Sequence, residues 1–448
     1  MGKANHNSYW ICSTAILVAV VLFGIRWSSG ILSKGPVFDE KYITVPIQNL
    51  IDDGWSIERA IDFEETKGPA MIWPYAVVGK LFGGTLNDLR LVSVWCSIIG
   101  LALLSWIAVR SAVYRKSLYL VALGWLLLPY NIVFSELVMG EISFLLLSLL
   151  AVVAFVWGLE ENSPKSRRFI APIFYGIAVA LALHSRIHVV ALAGGICFTA
   201  FALQGRRSWP WWAASIIAGM LRIPLWIRWD GLVSPEYQSL HGLGFRLESV
   251  SYLAAALVPF VAVFLITGWQ TAKSKACIVG AFILGVLLVY IAMPDLVVPE
   301  TIDFVNHTER FQGIAATITN KVSANVYIQQ ATLAILAGIG LAGLAGLWHC
   351  RHKGTGVPLI SISVPEYLPK TTISPFLTAG VVGRITFWSL TFGLLLYALT
   401  RGFVFDRFLL TWAFLLPIVW VRVLPIWLLA LQYLALAVVA GILTATWL

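Results

Sequence analysis

Charge is scarce in this sequence. Asp, Glu, Lys and Arg supply only 12% of its 448 residues, whereas a soluble domain carries about 25%. Hydrophobic residues reach 59% and the mean hydropathy is +0.85, so a water-soluble globule would have nowhere to hide its apolar surface. Cysteine is scarce as well. Cys12, Cys96, Cys197, Cys277 and Cys350 stand singly with no CxxC, which excludes a disulfide framework or a zinc ribbon. Alternating polarity is missing: stretches such as 11–25 are apolar on every face, against the pattern of a transmembrane barrel. No Asp-x-Asp pair and no soluble nucleotide-binding domain are present, which argues against direct use of a sugar nucleotide.

What remains is a run of apolar segments, at 9–29, 90–109, 118–135, 142–159, 169–184, 187–204, 209–227, 250–269, 276–293, 326–348, 378–399, 408–421 and 424–447. At about 20 residues per crossing these predict an all-α polytopic membrane protein with about thirteen transmembrane helices, forming a single domain over 1–448. The first run begins after only Lys3, is too long for a signal-peptide core and reads as a retained helix. With the N-terminus inside, alternate loops collect Arg110/Arg115/Lys116, Lys165/Arg167/Arg168, Arg206/Arg207, Lys273/Lys275 and Arg351/Lys353/Lys370, against only Glu160, Glu161 and Glu366. The positive-inside rule then fixes the orientation and puts the C-terminus outside. It also accounts for the net charge of +9 without a nucleic-acid partner. The long loops at 30–89, 228–249 and 294–325 fall outside; 349–377 is an inner linker.

Polar residues in a membrane protein mark function, and the first outer loop is rich in them. It opens with Lys34-Gly35-Pro36-Val37-Phe38-Asp39-Glu40, continues through amphipathic stretches at 42–50 and 55–63 that suit interfacial helices, and reaches Glu64-Glu65-Thr66-Lys67-Gly68-Pro69. An acid pair at the membrane surface with a cation about 30 residues on suits transfer from an anionic lipid carrier. A carboxylate takes the acceptor's proton; a cation meets the charge developing on a departing phosphate. A solvated helix end is the bland reading of the same pair.

An Asp-Glu pair after helix one, an interfacial helix, and a Lys-Gly-Pro opening the next apolar segment resemble the GT-C glycosyltransferases of the aminoarabinose transferase and rhizobial galacturonosyltransferase type. That resemblance implies about a dozen spans, a catalytic Asp in the first outer loop and a polyprenyl-phosphate-sugar donor. It places Asp39 as the catalytic Asp and Glu40 as its acidic neighbour. Glu141, in Met139-Gly140-Glu141, takes the second acidic position where the family often has Asp, with Glu136 as rival. Lys67 would meet the donor phosphate, although Gly68 stands between it and Pro69. His184-Ser185-Arg186 matches a polar break in an apolar helix, and Asp406-Arg407-Phe408-Leu409-Leu410 is similar to a late Arg-Tyr-Leu-Leu-Pro. The loop 234–242 resembles one that roofs the active site, with His241 and Arg246 as contacts to donor or acceptor. Arg186 and Arg407 join them as donor-phosphate ligands.

Other signals weigh less. Gly338-Ile339-Gly340-Leu341-Ala342-Gly343 spells GxGxxG inside an apolar run, without the strand and acid of a dinucleotide site; helix packing by small residues explains it. His184 and His188 have zinc-helix spacing but lack the intervening Glu. Arg222 and Arg228 bracket a helix end where snorkelling is common.

The expected activity is an inverting membrane glycosyltransferase of a prokaryotic plasma membrane, acting on the extracytoplasmic side. The donor is a polyprenyl-phosphate sugar and the acceptor a hydroxyl on a lipid-linked or other glycan. No cofactor or metal is obligatory, and a divalent cation is compatible. A transporter or flippase of lipid-linked sugars is the first alternative, though no internal repeat supports it. Another lipid-linked-glycan polymerase or ligase is the second.

Overall fold

The computed structural model describes residues 2–56, 58–59, 67–111, 113–159, 165–235, 238, 244–292, 311–350, 375–399 and 404–448. Nearly all are helical. Among them, nine stretches are long and apolar enough to cross a membrane, from Tyr9–Ser28 to Ile426–Ala445. One of the nine, Val189–Trp229, runs 41 residues, about twice a single crossing. It doubles back at the 3-10 turn Gly205–Ser208, because Cys197 Sγ and Ser215 Oγ lie 3.2 Å apart and the Phe198 and Trp212 rings are 5.6 Å apart. The two expected runs at 187–204 and 209–227 are therefore the arms of one hairpin.

Proline interrupts four of the expected spans. The ring of a helical proline collides with the carbonyl four residues earlier and removes a hydrogen bond. Helices accordingly end at Met220 ahead of Pro224, at Ala256 ahead of Pro259, and at Ala413 ahead of Pro417. Pro129 similarly separates Leu118–Leu127 from Asn131–Glu136, where Tyr130 turns the chain with φ 67°. Hydropathy sees these pieces as continuous; the backbone does not.

The glycine row is a packing surface. A Cβ at Gly340 would strike the Ala254 carbonyl, one at Gly343 the Val261 carbonyl and one at Gly346 the Phe264 carbonyl, while Gly338 lies against Phe282. Helix Val326–Cys350 thus accepts both Ala272–Ala292 and the broken segment from Leu247 to Gly268 at backbone distance.

The expected interfacial helix is Glu40–Asp52, with Ile43, Ile47, Leu50 and Ile51 on its buried face and Tyr42 and Val45 exposed. Lys80 reaches back from helix Trp73–Phe82 to the Ile51 carbonyl, 2.7 Å away. The second amphipathic stretch, 55–63, lies largely outside the described residues, as do Glu64, Glu65, Thr66 and most of the linker 349–377. Among the described residues, strand pairing is confined to a parallel bridge, Phe311 with Val404 and Gln312 with Phe405.

Candidate active site

Asp39 and Glu40 sit side by side at the start of helix Glu40–Asp52, just after Phe38, whose φ of 47° bends the chain. Consecutive helical residues point about 100° apart and do not share a face, so the two carboxylates meet different surroundings.

Glu40 turns inward. Its side chain and that of Arg90 are both 0% exposed, joined by two bonds of 3.0 and 2.7 Å from Arg90 Nε and Nη2. The Val138 and Val37 amides donate to the same carboxylate at 2.8 and 3.0 Å. Arg90 in turn donates to the carbonyls of Ile31, Lys34 and Gly35. This fork-to-fork pair closes the loop that follows the first helix over helix Leu86–Arg110 and the 137–140 turn. The sequence assigned Glu40 to catalysis beside Asp39; in the structure its carboxylate is buried and accepts from Arg90 and from two amides, as a fastening does.

Asp39 turns the other way and keeps 26% of its side chain exposed. One of its oxygens, Oδ2, takes both Lys67 Nζ at 2.6 Å and Arg407 Nη2 at 3.5 Å. Burial pushes the carboxyl's pKa up, but Lys67, Arg407 and Arg186 together outweigh that and hold it well below the usual carboxylate range.

Lys67 is placed by Gly68. The Gly68 amide donates to the Ser185 carbonyl at 2.7 Å, and a Cβ there would run into the His184 carbonyl and Arg222 Nη1. The glycine between Lys67 and Pro69 lets the loop press against the broken end of helix Lys165–Ser185, where only backbone fits. Arg186 follows that break and pairs with Glu141 Oε1 at 2.5 Å, both side chains nearly buried. Glu141 opens helix Glu141–Gly158 after Gly140, whose φ of 77° and lack of Cβ leave room for Met71. Glu141 Oε2 has no hydrogen-bond partner among the described residues.

Arg407 opens the last segment of the site, its guanidinium 5.8 Å from the Phe408 ring centre. Phe408 stacks on Tyr397 at 5.5 Å, and Tyr397 shares a 2.6 Å hydrogen bond with His188 Nε2. Segments near residues 39, 67, 141, 186 and 407 therefore converge, bringing three cations against two carboxylates.

The remaining candidates show no contact with Asp39 among the described residues. His241 is outside the described residues. Arg246 donates its backbone N–H to the Ala398 carbonyl at 2.8 Å, and its side chain is not among those meeting Asp39. Glu136, the rival acid, is buried against Arg26 at 3.4 Å, and burial pushes its pKa up to about 7 although Arg26 pulls it down. Arg222 donates to the Leu183 carbonyl and covers the Trp229 ring. His184 Nδ1 meets the Ala180 carbonyl while His188 faces Tyr397, so the two rings have separate partners. Sequence reasoning missed Arg90 and Tyr397. An arginine within an apolar helix needs an internal acid, and that signal was available for Arg90.

No family model matches the chain, and no curated protein matches it significantly. Two solved structures of ArnT from Cupriavidus metallidurans are similar to it. The apo state aligns with 95% of this chain and 76% of its own at 15% identity and a TM-score of 0.41. The form bound to undecaprenyl phosphate aligns with 96% and 77% at 14% identity and a TM-score of 0.44.

Proposed function

We propose that this chain is an integral membrane glycosyltransferase that moves a sugar from a polyprenyl-phosphate donor to an acceptor hydroxyl, with Asp39 as the base. The observation that carries the reading is the convergence of two cations, Lys67 and Arg407, on one partly exposed carboxylate. Lys67 and Arg407 meet on Asp39 while Arg186 holds Glu141 close by, and ammonium and guanidinium groups of this kind are the usual donors to a phosphate.

The scheme is a single displacement. The acceptor O–H gives its proton to Asp39 as its oxygen bonds to the anomeric carbon. The carbon–oxygen bond to the phosphate breaks, and the polyprenyl phosphate leaves with the electron pair toward Lys67 and Arg407. One displacement inverts the anomeric centre. A carboxylate held as acidic as Asp39 is a feeble base, so Lys67 and Arg407 must pass from it to the donor phosphate before it works. Donor binding thereby activates the base, and the cations that quench Asp39 at rest serve the leaving group during reaction.

The loop charges support an extracytoplasmic site: every segment contributing to it falls in a stretch assigned outside, whereas the basic clusters fall in the other set. A cytoplasmic face would put those basic loops across the membrane. His241 and Arg246 are proposed as contacts to donor or acceptor in the roofing loop. Three cations supply the electrostatic stabilisation that a metal provides elsewhere, so the reaction is proposed to need none. The test is incubation of the purified chain with a panel of prenyl-phosphate sugars. Consumption of one with an inverted product supports the reading; consumption of none overturns it.

A further inference from the structure

Asp406 stands next to Arg407 and has no part in the scheme above, yet it is among the most deliberately housed acids in the molecule. It is 3% exposed and accepts the Ala315 amide at 2.9 Å, across 91 positions of sequence. Ala315 belongs to the first turn of helix Ile314–Val322, whose Ala316 amide meets the Tyr252 hydroxyl at 3.2 Å. Gly313 precedes the helix with φ 129°, and a Cβ there would lie 2.5–2.8 Å from the Asp406 carboxyl atoms. The parallel bridge of Phe311–Gln312 with Val404–Phe405 clamps the same junction one step away. Two strands of contact thus join the third outer loop to the segment that carries Arg407.

We propose that Asp406 is a positioning residue for the donor site, latching helix Ile314–Val322 to the 404–409 segment so that the Arg407 guanidinium is held over Asp39 for the donor phosphate. This rests on the transferase reading of the Asp39 site. The carboxylate fixes the backbone from which Arg407 springs: bonding to a helix N-terminus restrains Asp406, and the 3-10 turn Asp406–Leu409 transmits that restraint to the next residue. Gly313 belongs to the device because only glycine combines that φ with the space the carboxylate takes.

The test is binding of undecaprenyl phosphate to the full-length chain in nanodiscs, with thermal unfolding recorded for each variant. Asp406→Ala is expected to weaken binding about tenfold, and Asp406→Asn, whose amide oxygen still accepts from Ala315, to stay within about threefold of wild type. Gly313→Ala should reproduce the Asp406→Ala loss from the other side of the contact. A merely structural role is separated by a double-mutant cycle: Asp406→Ala adds nothing once Arg407→Ala is present. Wild-type binding that Asp406→Ala leaves intact, or losses that multiply in the double variant, overturns the latch alone. Failure of the wild-type chain to bind overturns the transferase reading and the latch with it.

Discussion

Asp39 and Glu40 are neighbours in the chain with opposite fates. Glu40 meets Arg90 in a sealed fork whose remaining lone pairs are taken by two amides. Asp39 meets two cations on a single oxygen and stays partly open. Both are ion pairs, but the first has nothing left to give. In the second, under the proposed scheme, the cations pass to a substrate phosphate and the carboxylate recovers basicity when they leave. Saturation distinguishes a fastening from a site better than the presence of an ion pair does.

The largest effect on this comparison should come from the fastening. Glu40→Ala leaves Arg90 charged and buried without its acid, which costs about 3–5 kcal/mol; a large fall in the unfolding midpoint in detergent would show it. Equal stability of that variant and wild type would erase the contrast. Lys67→Ala, on the other side, should leave the fold nearly intact and lower kcat/KM by about 10²–10³, the scale of a lost transition-state donor. Gly68→Ala forces the Lys67 loop off the His184 carbonyl and should cost about tenfold to a hundredfold in turnover through misplacement of the lysine.

The pH profile sharpens the contrast further. The proposed scheme needs Asp39 as a carboxylate, and its pKa is depressed by neighbouring cations against the opposing push of burial. Its loss of activity as pH falls should therefore lie below the ordinary Asp range in kcat/KM, which reports the free enzyme. In kcat, which reports the donor-bound state, the same limb should move to higher pH because the cations have gone to the phosphate. The folded-state depression also stabilises the fold above the unfolded pKa, a contribution lost as pH falls through the usual carboxylate range and below. Coincident limbs would contradict the exchange of cations. The smallest effect expected is that of chelation: EDTA should change the rate by less than about twofold if no metal acts as Lewis acid.

Hydropathy made the helical membrane architecture legible, and the doubling back of Val189–Trp229 followed from the basic pair Arg206/Arg207 at its turn. The interruptions ahead of Pro129, Pro224, Pro259 and Pro417 escaped a reading by apolar runs, because proline scarcely changes the hydropathy of a window while it removes a helical bond. Within the candidate site, the resemblance to the GT-C glycosyltransferases singled out Asp39, Lys67, Glu141, Arg186 and Arg407. It could not show that Glu141 and Arg186 belong to each other, 45 residues apart, nor that Glu40 belongs to Arg90, 50 residues apart. Long-range pairing depends on how helices pack, and one sequence carries little trace of it. Asp406 was visible only as the residue before Arg407, since its partner is a backbone amide and leaves no signature in residue type.

The most direct measurement is the rate of sugar transfer from a polyprenyl-phosphate donor by the purified Asp39→Asn variant, with its unfolding midpoint read alongside. The side chain keeps its shape and an oxygen for Lys67 but cannot take a proton, so transfer should fall by about 10²–10⁴ while the protein stays folded. An Asp39→Asn variant that transfers sugar at the wild-type rate would contradict the account at its centre.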